Sequence, residues 1–103
     1  MSVDINLTAI RTVSVFELNI SHCYRPIAAK AGIDQYIWRP FELGINKAGQ
    51  LIEPLRIGLA LLETVPAQFE TFPREHFNHF VGQVRTYLEA CKANPDAEVS
   101  ATS

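Results

Sequence analysis

The stretch Val3-Asp4-Ile5-Asn6-Leu7-Thr8-Ala9-Ile10-Arg11-Thr12-Val13-Ser14-Val15-Phe16-Glu17-Leu18-Asn19-Ile20 decides the fold, because two periodicities compete within it. Read as a helix, Ile10, Val13, Phe16, Ile20, Cys23, Tyr24 and Ile27 share one arc, leaving Val15 and Leu18 outside it. Read as strands, Val3, Ile5 and Leu7 alternate with polar residues, as do Phe16, Leu18 and Ile20. The density of β-branched residues favours strands. No Gly or Pro interrupts residues 3–24, however, so no tight hairpin turn is written there. The missing turn tips the expectation to a helix over Thr8–Tyr24, with a short amino-terminal β-hairpin as the alternative.

Towards the carboxy terminus the pattern is cleaner. Pro73 suits a first helical turn, where a missing N–H costs nothing. From there Phe77, Phe80, Val81, Val84, Leu88 and Cys91 recur at spacings of three and four, with Tyr87 at the edge of the arc. Asn94-Pro95 supplies the stop. In the middle, Phe41, Ile45, Ala48, Ile52, Leu55, Leu59 and Leu62 also keep helical spacing, but Gly44, Gly49, Pro54 and Gly58 interrupt the seam. A mid-helix proline costs about 3 kcal/mol, so two shorter helices are expected, one opening near Pro40 and one near Pro54. Residues 93–103 contain no aromatic, Leu or Ile and read as a flexible tail. Together these features predict an all-α protein: a compact bundle of three to five helices over residues 1–92, with α+β as the alternative.

Composition bounds the function. With 48% hydrophobic residues and a net charge of −2 over 103 residues, the chain can build one core and is too apolar to be disordered. That charge also excludes a strongly basic protein that coats nucleic acid. Residues 1–56 hold six Arg or Lys against five acids, and residues 57–103 hold three against six, an asymmetry too small to name a partner. The longest strongly apolar run, Ile57–Leu62, is far short of the ~20 residues of a membrane span. Met1-Ser2-Val3-Asp4 lacks the pattern of a secretory signal, and Cys23 and Cys91 form no disulfide framework. A cytoplasmic protein without membrane contact is expected.

One local motif resembles a known family. Ile27-Ala28-Ala29-Lys30-Ala31-Gly32-Ile33-Asp34-Gln35, running on to Phe41-Glu42-Leu43-Gly44, is similar to the helix-turn-helix of the Cro and repressor type. Ala28 would be the small residue of the first helix, and Gly32-Ile33 the turn. Leu55–Leu61 looks like the helix that follows in such domains. The resemblance implies that the helix after Asp34 enters the major groove, with Gln35, Tyr36 and Arg39 contacting bases or phosphates. The chain departs from that family at Pro40, inside the would-be recognition helix, and at Trp38, where a small aliphatic belongs.

Catalytic spacings are missing. His22-Cys23 followed by Lys30 resembles a cysteine-phosphatase loop, but the basic residue is displaced and Pro26 removes a donor from the cradle. His76 and His79 stand close enough on one helix to share a metal, yet no further ligand is at motif spacing. No Ser/His/Asp pattern and no phosphate loop is present. No catalytic residue, cofactor or metal is therefore assigned. What remains is the crowding of Tyr36, Trp38, Arg39 and Phe41, residue types enriched at protein interfaces. A second aromatic group, Phe69, Phe72, Phe77 and Phe80, brackets the start of the last helix. The expected function is a non-catalytic helical module that binds a protein partner or a second copy through Tyr36, Trp38, Arg39 and Phe41. A DNA-binding regulator using residues 25–44 is the alternative.

Overall fold

Residues 2–9, 13–64 and 66–102 are described in a computed structural model of the chain. The opening stretch forms two strands, β1 (Ser2–Ala9) and β2 (Val13–Ser21), paired antiparallel. The register sets Val3 opposite Ile20, Ile5 opposite Leu18 and Leu7 opposite Phe16, so the alternating apolar residues line one face. The register then slips: Leu7 pairs with Phe16, but Thr8 pairs with Ser14, leaving Val15 as the extra residue of a β-bulge. A third strand, β3 (Glu98–Thr102), pairs antiparallel with β1 and gives the order β2-β1-β3.

The all-α expectation, with its helical bundle, is therefore corrected to α+β: a three-stranded antiparallel sheet with four α-helices. The alternation of Val3, Ile5 and Leu7 satisfies a sheet with one buried face, whereas a helix would scatter those residues around its axis. The bulge explains the misleading arc. It sets Ala9 opposite Val13 and Leu7 opposite Phe16, so successive residues paired with the inward positions of β1 are three apart there, and a broken period of two imitates a helical one. The expected absence of a tight turn was drawn over residues 3–24, of which residues 10–12, between β1 and β2, lie outside the described residues.

Residues 93–103, expected as a tail, instead carry β3. Its inward residues, Val99 and Ala101, are half-buried, and a short edge strand needs no larger side chains. The approach to β3 is pinned by backbone bonds, Ala48 N–H to the Ala97 carbonyl at 2.9 Å and Gly49 N–H to the Pro95 carbonyl at 2.8 Å. Val99 N–H donates to the Asn46 carbonyl at 3.0 Å and covers the start of the outer edge. On the opposite edge, Gln83 Nε2 donates to the Asn19 carbonyl at 2.8 Å. Bulge and cap together discourage further strand pairing along β2.

The helices α1 (Arg25–Lys30), α2 (Asp34–Trp38), α3 (Ile52–Thr64) and α4 (Arg74–Ala93) cover the apolar face. Helix α4 lies where the Phe77–Cys91 periodicity places one, and it packs against α3 and β2. Phe80, Val84, Tyr87, Leu88 and Cys91 are buried, while Phe77 and Val81 are half-buried, so the face is centred nearer Tyr87 than the spacing suggested. Pro54 sits in the first turn of α3, as its missing N–H allows. Pro40 opens only a 3-10 turn, Pro40–Leu43, closed by Gly44 at φ 75°. Gly58 is required by packing: a Cβ there would overlap Ile33 Cγ2, so only glycine lets α3 sit directly on the α1–α2 turn. Among the described residues, no helix is long and apolar enough to cross a membrane.

Candidate interaction surface

The uncovered face of the sheet is polar and already hydrogen-bonded to itself. Asn19 Nδ2 donates to Asp4 Oδ1 at 2.6 Å and to Ser2 Oγ at 2.7 Å. Asn6 Nδ2 donates to Glu17 Oε1 at 3.2 Å, and Thr8 Oγ1 donates to Asn6 Oδ1 at 3.0 Å. These cross-strand pairs follow from the register, which sets Asp4 opposite Asn19 and Asn6 opposite Glu17. Among the described residues, the strands present Asp4, Glu17 and Glu98 on this face and no basic residue. Such a surface is well solvated and has little to gain from being covered.

The helical side is different. Helix α1 ends in a turn in which Gly32 takes φ 77° and Ile33 N–H returns to the Ala28 carbonyl at 2.9 Å. Helix α2 has five residues and stops before Arg39 (φ −140°, ψ 52°), as the residue preceding a proline is driven out of helical backbone. Within it Ile37 and Trp38 point inward. Trp38 is 2% exposed, with its ring 6.1 Å from that of His22 and 5.8 Å from the Arg25 guanidinium. Trp38 is thus a core residue, and the expected four-residue patch loses its largest member.

The other three remain at the surface to different degrees. Tyr36 is half-buried, Arg39 is exposed with Nε 3.8 Å from Glu42, and Phe41 is 63% exposed. Two further exposed hydrophobic residues were missed by sequence reasoning: Leu43 at 41% and Ile57 at 58% exposure. A signal for Ile57 existed, since it lies off the Leu55-Leu59-Leu62 seam and follows Arg56 directly. Tyr36 and Ile57 line a groove of about 280 Å³, with Ile33, Pro54 and Gly58, between the α1–α2 turn and α3. On its rim Glu53 is hydrogen-bonded to Arg56, whose guanidinium holds the Glu53 carboxyl below the usual carboxylate range.

The segment that resembles a helix-turn-helix forms a corner of two short helices, α1 and α2. Gln35 and Arg39 are exposed, but α2 ends at Trp38, and Glu42-Leu43-Gly44 belong to a separate turn. Five residues make a helix of about 7.5 Å, little more than one turn. Near the resembled phosphatase loop, Cys23 is exposed with the Ser21 hydroxyl donating to its Sγ at 3.2 Å. Lys30 Nζ lies 6.0 Å from the Phe69 ring centroid, and the backbone from Arg25 onward is helical, so its N–H groups form no phosphate cradle.

His76 and His79 both flank the Tyr24 ring, at 5.6 and 5.7 Å. Among the described residues no group of three or more His, Cys, Asp or Glu is placed to hold a metal. The phenylalanines divide. Phe69 and Phe80 are buried, whereas Phe72 and Phe77 are half-buried and line a groove of about 480 Å³ beside Arg74 and the Arg85–Glu63 ion pair at 2.8 Å.

Two titratable groups lie in the core. Burial pushes the Cys91 thiol up to about 12, and burial with the neighbouring Cys91 raises the Tyr87 phenol above its ordinary range. No family model matches the chain, and no curated protein or solved structure matches it.

Proposed function

We propose that this protein is a non-catalytic binding module that engages another protein through the apolar surface of its helical layer, at Tyr36, Phe41, Leu43 and Ile57. The observation that carries the reading is Phe41, an aromatic side chain 63% exposed in a turn whose neighbours Trp38 and Pro40 are buried. An exposed aromatic and an exposed aliphatic, Phe41 and Leu43, in one short turn suit a contact surface, with Arg39 as a polar rim residue. The uncovered sheet face offers the opposite chemistry. Nucleic acid is less well supported as partner, because α2 is short and, among the described residues, the only charged side chains on the strand face are acidic. Two free thiols, Cys23 and Cys91, support a reducing, cytoplasmic setting.

Photo-crosslinking in the native cell tests the reading. Benzoylphenylalanine in place of Phe41 is expected to capture protein, and the same residue in place of Thr102 on the sheet face is not. Equal labelling at both positions, or none at position 41, would overturn it.

A further inference from the structure

We infer that the outer edge of β2 takes up an extended segment of a partner protein as a further antiparallel strand, seated between β2 and α4. This site lies apart from Phe41 and does not rest on the reading above. The sheet order β2-β1-β3 leaves β2 paired on one side only. Because Gln83 Nε2 reaches the Asn19 carbonyl from α4, that carbonyl faces away from β1. Alternate residues of a strand turn their backbone groups the same way, so Glu17 and Ser21 face outward with Asn19. Beyond the Gln83 bond, this stretch of edge has no partner for its outward backbone groups among the described residues. Donors and acceptors repeating at strand spacing are matched by another extended backbone.

Two features of α4 point to an occupant. Gly82 lies inside the helix, where glycine weakens it, and no packing requires it: a Cβ there would meet nothing within 4 Å. The missing side chain instead opens a groove of about 370 Å³ between α4 and β2, lined by Leu18, Gly82 and Thr86. Beside it the Gln83 amide stands where a strand's peptide group would. Its Nε2 serves Asn19, while its Oε1 is buried with no hydrogen-bond partner among the described residues. An antiparallel strand satisfies Asn19 more fully, donating to its carbonyl and accepting from its N–H. The cap thus discourages casual pairing and yields to a strand that brings several bonds. Side-chain chemistry narrows the partner. On the helix side of β2, Phe16 and Leu18 are only half-buried while Ile20 is fully buried, so an added strand covers them with apolar residues. Its other residues stand beside Glu17, whose carboxylate is bonded to the neutral Asn6 amide and to no cation among the described residues. The occupant is therefore a segment that alternates apolar with basic residues. Strand β2 of a second copy, Val13–Ser21, supplies no basic residue.

Titration of the isotope-labelled protein with a short capped peptide alternating lysine and valine, followed by nuclear magnetic resonance, tests the inference. Binding is expected, with new exchange protection at the Glu17, Asn19 and Ser21 amides. N-methylation of the peptide's lysines, whose N–H groups face β2, should weaken binding by at least about tenfold, whereas N-methylation of its valines should not. A peptide alternating glutamate and valine should not bind. Gly82→Val fills open space, so circular dichroism should show it folded, and it should weaken binding by about tenfold. Gln83→Ala, which removes the placeholder, should tighten binding. No binding up to millimolar peptide, protection only at other amides, or equal binding of the two N-methylated peptides would overturn the added strand. Protection of the same amides on self-association without peptide would give the edge to a second copy and overturn the partner segment.

Discussion

The two outer surfaces of this molecule solve the problem of facing water in opposite ways. The open face of the sheet spends its polar groups on one another, through Asp4–Asn19 and Asn6–Glu17 across the strands. The helical side leaves Phe41, Leu43 and Ile57 exposed. Both surfaces belong to the same chain and cover the same core, so composition alone does not explain the difference. What separates them is element geometry. A strand sends alternate residues to opposite faces, and its sequence can match that alternation over its whole length. A short 3-10 turn such as Pro40–Leu43 has few positions, and burying Pro40 leaves Phe41 and Leu43 outside. Irregular backbone exposes Phe41 and Leu43 in the turn and Val15 at the bulge, whereas Ile57 is exposed on the regular helix α3.

Substitutions that contrast buried with exposed groups can break this picture. The largest effect is expected at Trp38: Trp38→Ala should cost about 3–5 kcal/mol in urea denaturation, whereas Phe41→Ala should stay within about 0.5 kcal/mol. Equal costs would mean that Phe41 is also a core residue, and the contrast would collapse. Next comes Gly58→Ala, where the added methyl meets Ile33 and should cost about 1–3 kcal/mol by overpacking. A neutral result there would mean that α3 and the α1–α2 turn are not in close contact, and the groove beside them would lose its wall.

A smaller effect of opposite sign is expected inside the core. The Tyr87 hydroxyl is buried with no hydrogen-bond partner among the described residues, so Tyr87→Phe should stabilise the fold by about 1 kcal/mol. The Cys91 thiol, pushed up to about 12 by burial, gives a pH dependence. In the unfolded chain a thiol ionises near pH ~8.5, while in the folded protein it stays protonated. Above that pH the unfolded state binds fewer protons, so stability falls as pH rises towards 12. Denaturation at successive pH values should show the decline, and Cys91→Ala should remove the part that begins near pH ~8.5, leaving the part that buried Tyr87 adds above about pH 10. Thiol labelling gives a companion reading: exposed Cys23 reacts in the folded protein, and buried Cys91 reacts only on unfolding. The smallest effect belongs to the sheet face. Asn19→Ala, which removes the exposed bonds to Asp4 and Ser2, should cost no more than about 0.5 kcal/mol. A larger loss there would make the sheet face a structural surface with its own role.

The legibility of the sequence followed the range of the interactions. Helix α4 could be read because its apolar stripe recurs within a few residues along one element, and Asn94-Pro95 ends it. The strands were harder. Val3, Ile5 and Leu7 alternate plainly, but the bulge at Val15 breaks the phase of β2, and β3 has only Val99 and Ala101 turned inward. Its pairing partner lies more than ninety residues away in the chain, as in Ile5 with Ala101, and no local pattern reports such a pairing. The candidate surface was half legible. Tyr36, Arg39 and Phe41 were named from crowding, and crowding does not say which ring goes inward; Trp38 did, because α2 ends there and turns its last residue to the core.

By itself, the sequence determined the supply of apolar residues, the long last helix, and the positions where Pro and Gly forbid continuation. Those are properties of single residues and of near neighbours, fixed by backbone stereochemistry and side-chain spacing. Tertiary structure alone decided that the first and last segments share a sheet, that Trp38 is core while Phe41 is surface, and that Ile57 borders a groove. Each of those outcomes depends on burial against a distant segment, which is settled by the free energy of packing the whole chain and not by any stretch of it.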